Sequence, residues 1–371
     1  MAADGAQLRD FGANAFKLGL FGMNCSGGLS LTKAPERWDA SWENNLAAAK
    51  MADEAGLEFL LPIGRWHGYR GETDTQGTTF ETLTWACGLL AATQRIRAFG
   101  TVHVAFINPV FAAKQMVTAD HIGRGRFGLN IVSGWNPTEF GMFGVELKDH
   151  DDRYGYAEEW IHIVKRIWSE SEPFDHDGKY FSLRGVLGKP KPFGGGRPIL
   201  VSAGNSEMGR AFAAKNVDCL FTAIPKLDGI PEKLGVFRSF TPAGQSREAF
   251  ASAHLMCRAT RKEAEDYHHY IVYEQGDWEA AEYAANYRGK RPNSWMRDEK
   301  DIKARLISGA GYPIIGSYDD AVETMKKLKS IGIDGLACGM INYVRDMPAI
   351  RDELIPRMER AGLREKRREV A

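Results

Sequence analysis

Cysteine is scarce in this chain: five in 371 residues, at positions 25, 87, 219, 257 and 338. An odd number, widely spaced and mostly inside apolar runs, makes no disulfide framework. The cysteines read as reduced core residues of a cytoplasmic protein. Charge of one sign is missing too, because 48 Lys and Arg balance 48 Asp and Glu. No global field is available to steer a polyanion, so no nucleic-acid partner is expected. The five basic residues from Arg360 to Arg368 lie among Glu and Gly and read as a solvated helix end. No apolar run nears the ~20 residues that cross a bilayer, so no membrane association is expected. The first residues, Met1 to Gln7, have neither the basic nor the apolar region of a secretory signal.

Three chemical signatures are also absent. No Gly-x-Gly-x-x-Gly turn follows a strand, so a dinucleotide fold is not indicated. No His-Glu-x-x-His spacing occurs, and the neighbours His268 and His269 diverge on a helix, so no metal site is expected. Gly-x-Ser-x-Gly is missing, which argues against a hydrolase elbow.

What is present is alternation. Strands are expected at 16–23, 58–62, 96–106, 126–132, 198–203, 218–222, 253–258 and 335–340. Helical patterns follow at 42–55, 80–93, 110–122, 153–170, 206–215, from Lys262 onward, at 318–331 and at 347–360. Gly56 suits the position just past the first helix. A hairpin fits 174–183, with its turn at Asp175-His176-Asp177-Gly178. Eight strands alternating with helices imply a parallel sheet, and the length favours a closed (β/α)8 TIM barrel. The expectation is one domain over 1–371, with an insertion at 275–312 that contains Trp278, Tyr287, Arg291 and Trp295 and is either a lid, for which it is long enough, or a dimer contact or structural excursion.

In such a barrel the polar groups near the carboxyl ends of strands gather on one face. Asn130 lies in the apolar strand before the turn Ser133-Gly134, and Trp135 follows it. A buried Asn there needs partners. Arg153 and Tyr154 open the next helix, either as phosphate ligands or as surface and packing residues. In Ser202-Ala-Gly-Asn-Ser206 a strand ends at a helix N-terminus. Ser206 therefore either helps to bind an anion or only caps its helix. Thr101 and His103 share a strand face. His67, in a loop of polar and aromatic residues, and His254 are each either structural or suited to proton transfer.

Four segments in order resemble the bacterial luciferase-like flavin monooxygenases over nearly the whole chain. They are Arg126-Phe-Gly-Leu-Asn-Ile-Val-Ser-Gly-Trp135, His150-Asp-Asp-Arg-Tyr154, Ala203-Gly-Asn-Ser206 and Gly309-Ala-Gly-Tyr-Pro-Ile-Ile-Gly316. The resemblance implies a barrel that binds reduced FMN, delivered by a separate NAD(P)H-dependent flavin reductase, and uses O2. It places Arg153, Tyr154 and Ser206 at the FMN phosphate, and Asn130, Glu139, Ile63 and Gly64 around the flavin. Homodimers or homotetramers are common in the family.

Asn24-Cys-Ser-Gly-Gly28 and Val132-Ser-Gly-Trp135 are similar to the dimethylsulfone branch. Pro62-Ile-Gly-Arg65 and His254 resemble the alkanesulfonate branch, whose sulfonate arginines fall here on Ser252 and Ile307. Thr101 with Asn130 and Trp135 resembles the pyrimidine-ring-opening branch, where the Thr and Asn hold O2 near flavin N5. The implied chemistry is oxidation of an organosulfur compound, cyclic amide or heteroaromatic ring through a flavin peroxide, with N5 as one attachment point. His67 and His254 are candidates for proton handling or substrate hydrogen bonding. A deazaflavin-dependent dehydrogenase, a flavin-binding protein without oxygenase activity and a non-flavin phosphate-binding barrel are the alternatives on the same fold.

Overall fold

Short apolar strands take turns with longer helices along most of the chain. A computed structural model describes residues 10–204, 206–224, 227–240, 247–287 and 299–366. The strands are β1 Lys17–Phe21, β2 Phe59–Leu61, β3 Arg97–His103, β4 Phe127–Val132, β5 Phe174–Asp177, β6 Ser182–Val186, β7 Ile199–Ser202, β8 Cys219–Thr222, β9 Glu248–Arg258, β10 Tyr312–Ser317 and β11 Gly335–Gly339. Nine run in one sheet, ordered β10-β9-β11-β1-β2-β3-β4-β7-β8, and β9 also pairs with β8. Without β10 the remaining eight form a closed ring, the expected (β/α)8 barrel.

Two compact units make up the chain, one built mainly on Glu81–Phe221, the other mainly on Phe11–Phe80 and the chain from Glu248 on. In the first, β3 and β4 pair in parallel with Thr101 opposite Asn130. A methyl group added to Gly100 would lie 2.4 Å from Leu83 Cδ2, on the helix Thr82–Ala92. Gly100 therefore faces that helix, and alternation turns Phe99, Thr101 and His103 the other way, to the inner face. Gly128 leaves room for Phe99, whose ring would sit 2.2 Å from an added Cβ. Gly128 thus shares the inner face, and so does Asn130 two residues on.

In the second unit an aromatic layer forms the base of the inner face. Phe59 and Phe250 stack at 5.1 Å with planes 2° apart, and Phe11 meets Phe250 edge-on at 4.6 Å. Along β9, Phe250, Ser252 and His254 follow one another on a single face. The register sets Gly335, Ala337 and Gly339 of β11 opposite them.

Several elements differ from expectation. Strand β10 occupies part of the Gly309–Gly316 motif and was not anticipated. It lies at the end of the strand order, where Pro313, which has no N–H to donate, is tolerated. The hairpin turn falls at 178–181 instead of 175–178, because the Glu159 carboxylate accepts the N–H groups of Tyr180 (3.1 Å) and Phe181 (2.9 Å). Helices Pro137–Met142 and Ile230–Ser239 are additional. The helix expected from Arg153 begins a turn earlier, at His150–Ser169, and the terminal helical stretch starts at Tyr343.

The flanks of the 275–312 insertion are helices Trp278–Tyr287 and Glu299–Ser308. Ala280, Ala281, Ala284 and Ile307 on them are fully buried in a cluster with Leu31, Ala34 and Tyr69. Asp277 ties the first helix down, accepting from Ala280 N (3.0 Å) and from Thr73 N (2.8 Å). These flanks are core. Arg291 and Trp295 lie outside the described residues.

Candidate active site

The inner face of β3 and β4 carries a polar pair in apolar surroundings. Asn130 Nδ2 donates to Thr101 Oγ1 at 3.1 Å, with the two residues 4% and 6% exposed. Thr82, at the start of its helix, donates its hydroxyl to the Thr101 carbonyl at 2.7 Å. Asn130 Oδ1 is buried and has no hydrogen-bond partner. Leaving such an acceptor unmet costs about 1–3 kcal/mol, so this atom is set up to receive an N–H or O–H from a bound molecule. His103 continues the same face, its ring nearly parallel to Phe106 at 5.3 Å.

The helix His150–Ser169 presents two consecutive residues to two different strand ends. Arg153 Nη1 donates to the Gly134 carbonyl, just past β4, at 2.5 Å. The Tyr154 hydroxyl lies 3.5 Å from Ser206 Oγ, just past β7. Ser206 does cap its helix, Glu207–Asn216, accepting from Gly209 N at 3.1 Å. Tyr154 nonetheless brings a second hydroxyl to that cap, and Gly209 leaves space for it, since a Cβ there would come within 2.5 Å of the Tyr154 oxygen. Two hydroxyls and a helix N-terminus are a suitable cradle for a phosphate. Glu139 is buried in the short helix Pro137–Met142, whose cap is Asn136.

The other unit holds the remaining candidates. Ile63 and Gly64 follow β2, and Asn24 clamps the chain there: its Oδ1 accepts from Ile63 N at 2.9 Å, while its Nδ2 donates to Ile63 O at 2.9 Å and Phe80 O at 3.1 Å. His67 sits with its ring centre 6.0 Å from that of Tyr283, and the Arg70 guanidinium lies 4.6 Å over the same ring. His254 is wholly enclosed on β9, and neither ring nitrogen has a hydrogen-bond partner. Desolvation, and secondarily the nearby His268, lower its pKa to about 3. At neutral pH it is a neutral imidazole with one donor and one acceptor, unsuited to acid catalysis.

The structure thus joins Thr101 with Asn130 and Tyr154 with Ser206, and directs Arg153 to Gly134. Reading the sequence assigned no role to Asn24, Asn136 or Gly134. Asn136-Pro137 was a legible signal, a cap followed by proline at the first helical position. Asn24 opens a motif similar to the dimethylsulfone branch, but its clamping role was not legible, because its partners are backbone atoms 39 and 56 residues away. All five cysteines are free, and four are buried. Among the described residues no His, Cys, Asp and Glu group could hold a metal ion, and no helix is long and apolar enough to cross a membrane.

The family model described as luciferase-like monooxygenase matches residues 16–335. An FMNH(2)-dependent dimethylsulfone monooxygenase from Pseudomonas fluorescens is 28% identical over 351 residues, covering 92% of this chain and 94% of that protein. A pyrimidine monooxygenase, RutA, from Allorhizobium ampelinum is 28% identical over 360 residues, covering 92% and 96%. Among solved structures, DmoA from Hyphomicrobium sulfonivorans superimposes with a TM-score of 0.83 at 18% identity, covering 94% of this chain and 89% of that one.

Proposed function

The chain belongs to the luciferase-like monooxygenase family, and we propose that it is the oxygenating component of a two-component system. In this reading a separate flavin reductase delivers reduced FMN, and the chain uses O2 to oxidise a small organosulfur compound, cyclic amide or heteroaromatic ring. Bound reduced FMN supplies the two electrons that activate O2.

The buried Thr101–Asn130 pair carries this reading. Reduced flavin bears ring N–H donors, and the unmet Asn130 Oδ1 is a buried acceptor on the inner face. The amide also donates to Thr101, which holds the threonine hydroxyl at a defined height on β3. Two fixed polar groups in an apolar wall can orient a small uncharged molecule such as O2 beside the ring, and the surrounding apolar residues keep water away. Ser206 and Tyr154, with the N-terminus of Glu207–Asn216, suit the phosphate, and Arg153 adds positive charge at the neighbouring strand end. His254, kept neutral by burial, is assigned a hydrogen bond to substrate instead of proton donation.

The test mixes protein and photoreduced FMN with oxygenated buffer, using uracil and dimethyl sulfone as first substrates. An absorbance transient absent from free FMN, together with product, is the expected result. Flavin that binds but reoxidises as if free would favour a binding protein, and tight deazaflavin binding without oxygen consumption would favour hydride transfer. Thr101→Ala should lower oxidation at least about tenfold while leaving FMN affinity within about twofold. Equal losses in both would remove Thr101 from the oxygen site.

A further inference from the structure

We infer that Gly134 is a positioning residue for flavin phosphate recognition, acting through Arg153. The inference rests on the phosphate reading given above for Arg153, Tyr154 and Ser206.

Arginine binds phosphate well only when its planar fork is aimed, and a free side chain loses rotamer entropy on being fixed. Here one arm is already committed, because Arg153 Nη1 donates to the Gly134 carbonyl at 2.5 Å. That carbonyl is itself held in place. Gly134 has φ +87°, in the left-handed region, at the turn where β4 ends. An added Cβ would lie 2.5 Å from the Phe140 ring, with His103 Cδ2 at 3.8 Å.

The rings behind the turn are packed on one another. Phe106 lies 4.8 Å from Phe140, edge-on, and 4.1 Å from Phe143, stacked. His103 stacks on Phe106 from the side of β3. The helix that carries Phe140 is capped by Asn136, two residues after Gly134. Both the backbone conformation and the close approach require glycine at 134. The carbonyl therefore has one place to be, and the guanidinium plane is set before any ligand arrives. Preorganisation of this kind raises affinity by removing an ordering cost, without adding a contact.

The consequence is specific to the phosphate. Riboflavin lacks that group and gains nothing from an aimed Arg153. The experiment measures anaerobic binding of photoreduced FMN and riboflavin by quenching of tryptophan fluorescence, in wild type, Gly134→Ala and Arg153→Lys. Wild type should bind FMN at least about tenfold more tightly than riboflavin. Gly134→Ala should reduce that ratio about tenfold, with riboflavin affinity changed less than about twofold. Arg153→Lys keeps the charge but cannot hold the carbonyl and a phosphate in one plane, and should reduce the ratio similarly.

Equal weakening of both flavins by Gly134→Ala, or an unchanged ratio, overturns the inference. If Gly134→Ala does not fold, Arg153→Lys decides: a ratio equal to wild type overturns it. A wild-type protein that does not distinguish FMN from riboflavin would instead remove the phosphate reading itself.

Discussion

The two ends of the barrel strands are built from different chemistry. Where strands begin, charges meet in pairs. Lys17 at the start of β1 pairs with Glu248 at the start of β9 (2.6 Å), and Glu58, just before β2, pairs with Arg364 (2.9 Å). Arg197, just before β7, pairs with Asp218, just before β8, through two bonds of 2.6 Å. Further along the strands, buried neutral hydrogen-bonding groups follow, namely Thr101, His103, Asn130, Ser202 and His254, although β9 itself closes on Arg258, which pairs with Asp346 at 3.7 Å. The paired charges secure the chain, although Glu248 Oε2 is buried without a hydrogen-bond partner, as are Asn130 Oδ1 and both His254 nitrogens. In barrels of this class the beginnings of strands serve stability and their ends serve chemistry. The unmet atoms of Asn130 and His254 fit that division, since a site kept ready for a ligand gives up stability.

The largest expected effect lies at the strand beginnings. Glu58 and Arg364 side chains are only 7% and 4% exposed, so Glu58→Ala strands a buried cation and should cost about 3–5 kcal/mol. Urea unfolding measures this, and activity per folded molecule should be unchanged. Loss of activity at full stability would break the division.

Asn130→Leu tests the other end. Oxidation should fall at least about a hundredfold, with unfolding free energy within about 1 kcal/mol of wild type, because the substitution removes an unmet acceptor. A strongly destabilised variant would make Asn130 a structural residue.

His254 adds a pH dependence of known sign. Its folded pKa, near 3, lies below the ordinary histidine value of 6.5. Between those values the unfolded chain binds the additional proton, so stability rises with pH across this window and is lost as pH falls through it. The slope from this residue approaches about 1.4 kcal/mol per pH unit and should be absent in His254→Leu. Denaturant melts at pH 4 to 7 on both proteins supply the difference, and identical slopes would mean the imidazole is not buried in solution.

The smallest effect is at Ser206. Ser206→Ala loses the cap of Glu207–Asn216, worth about 1 kcal/mol, and should weaken FMN binding more than riboflavin binding. Thermal unfolding and the two-flavin titration separate the two roles.

All eight ring strands were legible in the sequence, because an apolar strand followed by an amphipathic helix is a local pattern that burial rewards wherever it occurs. The helices that were expected lie within a few residues of the observed ones, as at Trp42–Glu54 with Gly56 just beyond it, whereas Pro137–Met142 and Ile230–Ser239 were not anticipated. Local rules lost their hold where a distant group decided the outcome. Glu159 moved the hairpin turn by taking the N–H groups of Tyr180 and Phe181. Strand β10 depended on β9, about sixty residues earlier in the chain, to pair with a segment containing Pro313. The insertion looked polar in sequence, yet its alanines became core once Leu31 and Tyr69 met them.

The candidate site divides in the same way. Residue types, spacing and the resemblance they carry were enough to name Thr101, Asn130, Arg153, Tyr154 and Ser206, because each sits at a strand end or helix start that the chain itself specifies. Which of them touch was decided only by tertiary structure. Parallel register set Thr101 beside Asn130, and one helix turned Arg153 toward Gly134 and Tyr154 toward Ser206. Hydrogen bonds reach about 3 Å, and no sequence spacing fixes a distance that short between segments folded from twenty to fifty residues apart.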